Sequence, residues 1–375
     1  MDACLPTGTE SVALASAIGR VLAEPVLADR PLPPFARAMM DGVAFRSSSI
    51  PDFSRLEIAG LHAAGDPPPR PLAAGEAWEI MTGAAVPDDC DTVVPYEELA
   101  APFVLTKPAQ SGANIHPRGH DAGEGDLLVA AGSRIGAAEI AIAASVGKAA
   151  LKVFRRPRVA LITTGGEAVP VECTPEPWQI RRSNGPMLEA ALLSLGCAPV
   201  TQGHVSDDPS EVHAAICGAL AESDVLILCG GISKGKRDCV RQMMEELAGP
   251  PTFHGVRLRP GKPLAYWSGP PQVFALPGNP VSVLATFTRL VLPALLRLQG
   301  LSPSVPLHVP VDGITPLPGL THLLPVAPDA RGRLVARPPR NSGDFVSMTG
   351  SVGVIEIPPG PEFTPGQSFS FHPFP

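Results

Sequence analysis

From residue 158 to residue 300 the chain alternates strand signals with helix signals, and this alternation restricts the fold more than any other feature. Residues 158–164 are an aliphatic and β-branched run that ends at Gly165-Gly166. Residues 186–195 have helical spacing and stop at Gly196. Asp208-Pro209-Ser210-Glu211 is a capping-box start for a helix continuing to Glu222. Residues 224–229 read as a buried strand closing on Gly230-Gly231. Beyond them, 236–248 is helical in pattern, 253–258 and 272–276 are strands, and 281–298 is a helix. The pattern predicts a mostly parallel sheet with helices on both faces, with ligands gathering at the C-terminal ends of its strands.

The flanking sequence reads differently. Residues 26–125 hold short strands and many prolines without a long helix, which predicts a separate β-rich domain. An Ala-rich helix within 130–150 pairs with 9–23, so that 1–25 and 126–155 form a small linker module. The α/β domain then spans 156–300, and 301–375 is a C-terminal β domain. With 46 prolines and 37 glycines the chain has turns in abundance, while 45% apolar and 17% charged residues mark it as folded. A net charge of −7 argues against nucleic-acid binding. Residues 1–6 lack the basic start and apolar core of a signal peptide. The apolar segment 281–298 is interrupted by Thr286, Thr288, Arg289, Pro293 and Arg297, as a buried helix is and a membrane span is not. The seven cysteines are scattered with no Cys-x-x-Cys, which fits reduced thiols in a cytoplasmic protein and supports neither disulfides nor zinc. His116 and His120 are four apart, but among Pro and Gly rather than on a helix.

Two Gly-Pro turns carry the clearest chemistry. Arg259-Pro260-Gly261-Lys262-Pro263 places a cation in a tight turn, and Leu276-Pro277-Gly278-Asn279-Pro280 opens a helix. Asn at an N-cap with Pro at N1 is good helix-start chemistry, and it leaves backbone N–H groups free for an anion. As a pair in one α/β domain these turns resemble those of the molybdopterin molybdenumtransferase (MoeA-like) family.

Other segments carry the same resemblance in order along 5–358. Phe35, Met40, Asp41 and Gly42 match a Pro-x-Phe-x-x-x-x-Met-Asp-Gly pattern, with Ala36 where the family has an acid. Met81-Thr82-Gly83-Ala84-Ala85-Val86-Pro87 and Asn114-Ile115…Gly119-His120-Asp121 match two more. Thr164-Gly165-Gly166-Glu167 stands for Thr-Gly-Asp-Glu, so Gly166 removes a carboxylate. Gly230-Gly231-Ile232-Ser233-Lys234-Gly235…Asp238 matches Gly-Gly-x-Ser-x-Gly…Asp, with added basic residues Lys234, Lys236 and Arg237. Read cold, this loop is one residue short of a P-loop and lacks its Ser/Thr. Arg182 precedes Ser183-Asn184 where the family commonly has an acid. Asp207-Asp208 precede a helix, and one of the two reads as its cap.

The resemblance implies an enzyme that inserts molybdate into adenylylated molybdopterin, releases AMP, and uses magnesium. It implies a homodimer, with the β-rich domain of one subunit facing the α/β domain of the other. Molybdopterin adenylyltransferase and target molybdoenzymes are the implied protein partners. Catalytic roles fall on Asp41, Thr82, Asp121, Glu167 and Asp238, with Asp41, Glu167 and Asp238 as metal ligands. Ligand binding falls on Gly165, Asp207, Asp208, Gly230, Gly231, Ser233, Arg259, Lys262, Pro277, Gly278, Asn279 and Pro280. Lost acids and gained bases motivate an alternative, a non-catalytic molybdopterin-binding carrier or scaffold. The near P-loop motivates a third reading, an NTPase.

Overall fold

The computed structural model describes residues 4–197, 199–232, 239–302, 305–360 and 366–375. Its central sheet has six strands in the order Pro199–Val205, Val159–Thr164, Val225–Cys229, Gln272–Leu276, Ala265–Trp267, Phe253–His254. The first four run parallel; Ala265–Trp267 runs antiparallel to Gln272–Leu276, and Phe253–His254 antiparallel to Ala265–Trp267. The middle strands are buried on both faces, as continuous aliphatic runs require. Alternate side chains feed two cores. Leu161, Ile227, Phe274 and Leu276 meet the helices Asn184–Ser194 and Pro280–Leu298 through Leu188, Leu192, Val283 and Phe287. Ile162, Leu226, Leu228 and Val273 meet the helices Pro209–Glu222 and Val240–Ala248 through Val212, Ile216 and Met244.

Three expectations change here. Strands Pro199–Val205 and Ala265–Trp267 complete the sheet although neither carries a clean pattern in sequence. The expected strand 253–258 is divided: Phe253–His254 joins this sheet, whereas Leu258–Arg259 pairs with Thr321–Pro328 in the C-terminal sheet. Gly255, at φ +73°, turns the chain between them. The expected helix 236–248 spans Val240–Ala248 among the described residues.

Pro280–Leu298 is the one helix among the described residues long and apolar enough to cross a membrane, and 61% of its most apolar window is buried in the protein. A π-helical turn, Phe287–Val291, precedes Pro293. Proline has no N–H to donate to the preceding turn, and a widened turn accommodates that gap.

The N-terminal half holds a four-stranded sheet, Glu57–His62, Glu76–Ile80, Gly42–Phe45, Thr92–Pro95. Beside it the strand Thr9–Ala13 pairs with Ala150–Phe154, and the helix Ala137–Ser145 packs over them around Leu151 and Val153. The C-terminal sheet is ordered Leu258–Arg259, Thr321–Pro328, Gly353–Ile357, Ser368–Pro373, Leu307–Pro310.

An ion cluster ties this last sheet to the long helix. Arg289 Nε donates to Glu356 Oε2, and His372 Nε2 lies 3.0 Å from the same oxygen. These partners, His372 foremost, hold the Glu356 carboxyl down to about 2 from 4.5. A depressed carboxylate pKa stabilises the fold above the unfolded value and is lost as pH falls toward the folded one. Glu356→Gln is therefore expected to cost about 1–2 kcal/mol at pH 7, with the difference from the parent shrinking between pH 4.5 and 2. Urea denaturation across that range measures it, and a pH-independent difference would sink the assignment.

Candidate active site at the strand ends

The strand order reverses at the centre of the sheet. From Val159–Thr164 the chain crosses to Pro199–Val205 on one side, then returns over the other face to Val225–Cys229. A crevice opens where the two departures diverge. It holds a cavity of about 420 Å³ lined by Thr164, Gly165 and Glu167 from one strand end and by Cys229, Gly230 and Gly231 from the next. Arg181, Arg182, Asn184, His204, Asp207 and the Pro277–Pro280 turn complete its walls.

Gly230 sits at φ +100°, and a Cβ there would lie 2.8 Å from both the carbonyl oxygen and Oγ1 of Thr164. Only glycine lets the two strand-end loops approach so closely. The Thr164 hydroxyl is buried without a partner among the described residues, so a ligand group in the cavity would satisfy it.

His204 fastens the first loop. Its Nδ1 lies 2.9 Å from the Thr163 hydroxyl and its Nε2 lies 3.0 Å from the Gly165 carbonyl oxygen. This network assigns the proton to Nε2, which donates to Gly165, while Nδ1 accepts from Thr163. Burial, then the Arg182 charge, pushes the His204 pKa below its usual value, so the ring is neutral at pH 7. Asn184 Nδ2 donates to the Gly278 carbonyl at 2.6 Å and links the helix start to the Pro277–Pro280 turn. Burial raises the Cys229 thiol to about 12, which leaves it an inert part of the wall.

The structure divides the expected site residues. Gly165, Glu167, Asp207, Gly230, Gly231, Pro277, Gly278, Asn279 and Pro280 line the cavity together. Asp207 Oδ2 accepts the Gly166 N–H at 3.1 Å. Asp208 instead caps its helix, accepting the N–H groups of Ser210 and Glu211 at 2.9 and 3.2 Å. Those bonds, led by the Ser210 hydroxyl, hold its carboxyl below the ordinary range. Arg259 and Lys262 are exposed and do not line the cavity; Arg259 pairs in register with His322 of the C-terminal sheet. Asn279 does not cap its helix. Its side chain donates to Ser342 at 2.7 Å, and the Ser342 carbonyl takes the Val281 N–H. The expected free helix N-terminus is thus partly filled by the chain itself. Ser233 and Asp238, with Lys234, Lys236 and Arg237, lie outside the described residues.

Asp41, Thr82 and Asp121 assemble elsewhere, on the β-rich half. Ala38 N–H donates to Ala84 O, Gly83 N–H to Ala38 O, and Met39 N–H to Asn114 O, so the three motif segments interlock through their backbones. Asp41 Oδ1 accepts the Thr82 hydroxyl at 2.7 Å and the Thr82 N–H at 2.6 Å. The hydroxyl, then the N–H, lowers the Asp41 pKa. A Cβ on Gly42 would lie 2.0 Å from the Val94 carbonyl oxygen, so glycine alone permits Asp41 to start this strand. Asp121, in turn, lies 2.8 Å from His116 Nε2, and Arg37 donates to His116 Nδ1. With Nδ1 accepting, His116 presents an N–H to Asp121 rather than a lone pair. His116, His120 and Asp121 lie close enough to ligate a metal, but Arg37 sets them as a hydrogen-bonded chain.

Sequence reasoning missed His204, because its strand, Pro199–Val205, has no regular apolar alternation. A histidine at the C-terminal end of a sheet strand was the available signal.

Together, the crevice and its glycine-lined loops define an α/β protein with a ligand-sized cavity at a topological switch point. Residues 1–147 match a family model described as the MoeA N-terminal region (domain I and II), and 160–297 one described as a probable molybdopterin binding domain. The chain is 34% identical over 369 residues to the molybdopterin molybdenumtransferase of Synechocystis sp., covering 94% of this chain and 92% of that protein. It is also 34% identical over 376 residues to the molybdopterin molybdenumtransferase of Synechococcus elongatus, covering 96% and 93%. A solved molybdopterin biosynthesis MoeA protein from Pyrococcus horikoshii matches at TM-score 0.81 and 32% identity, covering 99% of this chain and 95% of that one. The chain belongs to the molybdopterin molybdenumtransferase family.

Gly230→Ala is expected to cost about 1–3 kcal/mol, the scale of a side chain forced into left-handed backbone. The variant should also lose the close approach to Thr164. Chemical denaturation measures the first effect; an unchanged midpoint would show that the loops separate freely.

Proposed function

We propose that this protein is an enzyme of molybdenum cofactor biosynthesis that inserts molybdate into adenylylated molybdopterin and releases AMP. The observation that carries the reading is the cavity between Gly165 and Gly230-Gly231, closed by the Pro277–Pro280 turn, in a member of this family. Its size suits part of a pterin ligand with a phosphate tail. The Thr164 hydroxyl and the arginines at 181 and 182 are donors for anionic oxygens. His204 keeps the Gly165 carbonyl turned into its own hydrogen bond, leaving the loop shape fixed for a ligand.

Magnesium fits this cavity in one mode. Glu167 and Asp207 offer carboxylate oxygens on its walls, the donors magnesium takes alongside substrate phosphate. Held by these two carboxylates, it would supply charge neutralisation for the phosphoanhydride. Asp41 is not on this cavity, so the ligand set of Asp41, Glu167 and Asp238 is not one cluster within the described residues.

The proposal extends to a cytoplasmic homodimer with the four-part division given above, in which the Asp41–Thr82 and Asp121 face of one subunit meets the cavity of the other. Phe35, Met39 and Met40, at 46%, 56% and 41% exposure, lend that face apolar surface to bury. Molybdopterin adenylyltransferase and molybdoenzymes are the proposed protein partners. A second reading, a non-catalytic molybdopterin carrier, is favoured by Arg182 on the cavity wall and by Gly166 in place of an acid.

Incubation with adenylylated molybdopterin, magnesium and molybdate separates the readings: the enzyme yields AMP and active cofactor, the carrier binds and yields neither. ATP hydrolysis without a pterin would support the NTPase instead. Asp41→Asn is expected to fold normally, since Asp41 is exposed, and to lose cofactor formation on the order of 100-fold. Unchanged AMP release would remove Asp41 from the site. Lys262→Ala is expected to leave stability within about 0.5 kcal/mol and pterin affinity unaltered, because Lys262 is exposed and off the cavity. A loss of affinity in titration calorimetry would restore it as a ligand.

A further inference from the structure

We propose that Arg181 and Arg182 form a guanidinium clamp that binds a phosphoryl group in the cavity directly, without a divalent cation. The inference deepens the functional reading above and rests on it for the identity of the ligand, a phosphorylated pterin.

Both arginines line the cavity, and both are anchored at one edge only. Arg181 Nε donates to the Cys173 carbonyl at 3.0 Å, and Arg182 Nε donates to the Ala168 carbonyl at 3.1 Å. The backbone beneath them is itself braced, because Ala168–Val169 pairs in parallel with Ile180–Arg181. Fixing Nε orients a planar guanidinium while leaving its two Nη groups for another partner. Neither guanidinium has a further partner among the described residues. That free edge matches two phosphate oxygens at once, a fit that lysine cannot reproduce.

The opposing charges agree with this assignment. Among the described residues the cavity has two acids, Glu167 and Asp207, and Asp207 already accepts the Gly166 N–H. Gly166 adds no carboxylate, and a Cβ there would stand 3.5 Å from Asp207 Oδ2, so an acid would face an acid. Burial first, and the Arg182 charge second, holds the His204 pKa below its ordinary value, in keeping with a cationic wall.

Pyrophosphate is the probe, with the full chain titrated by calorimetry in excess EDTA. The parent protein is expected to bind it, Arg182→Ala to bind about tenfold or more weakly, and Arg181→Ala/Arg182→Ala more weakly still. Arg182→Lys is expected to fall between parent and Ala, because charge survives but the fork does not; it also carries the test if the Ala variant fails to fold. Magnesium is expected to tighten pyrophosphate more in Arg182→Ala than in the parent. Binding that vanishes in EDTA, or equal affinity of parent and Arg182→Ala, overturns the clamp. Pyrophosphate binding in EDTA with no molybdate insertion would overturn the functional reading and leave the clamp standing; insertion with strictly magnesium-dependent pyrophosphate binding would do the reverse.

Discussion

The reversal of strand order between Val159–Thr164 and Val225–Cys229 governs the rest of the structure. Both strands are buried on both faces, so their connections must leave toward opposite faces and cannot cover the shared C-terminal edge. The exposed edge must be closed by turns short enough not to fill it. Residues with side chains cannot make those turns, since Gly230 and Gly231 sit at φ +100° and +63° with neighbours under 3 Å from any added Cβ. The cavity is therefore a consequence of topology. The sequence around it selects what enters.

How far this was visible in the sequence depends on how much local pattern each element needs. The central strands announce themselves because a strand buried on both faces is apolar at every position. Pro199–Val205 lies at the sheet edge, where burial on one side is incomplete, and its Thr201, Gln202, Gly203 and His204 carry no period. The division of 253–258 between two sheets was illegible for a different reason. A six-residue stretch carrying Phe253, Val256 and Leu258 looks alike whether it serves one sheet or two, and only the turn at Gly255 separates them. The Asp207-Asp208 pair was resolved by geometry: the second acid reaches the N–H groups of its own helix, leaving the first to the Gly166 loop.

The motif segments of the β-rich half were legible as segments but not as an assembly. Spacing along the chain says nothing of the backbone bonds by which residues 38 and 84, and 39 and 114, meet. Once they meet, each acid acquires an orienting partner, Thr82 for Asp41 and His116 for Asp121. A carboxylate so held has lost rotamer freedom in advance of any ligand, which is what positioned charge requires. The two constellations share no residue, so the chain keeps its anion cradle and its oriented acids on separate surfaces. In the homodimer proposed above, a second subunit would be the route by which one set reaches the other.

Charge then decides what the cradle does with an anion. Two unit charges 4 Å apart interact by about 4 kcal/mol at the effective dielectric of a cleft, so one exchanged residue outweighs most packing differences around it. An acid at position 182 would attract a cation and repel bare phosphate; an arginine there does the opposite. Glycine at 166 shifts the balance the same way, because Asp207 keeps its N–H partner and gains no acidic neighbour. The two retained carboxylates, Glu167 and Asp207, still suit a metal that arrives already bound to phosphate. In the proposed clamp, anion first and cation second is the order of binding that this arrangement of charge would favour.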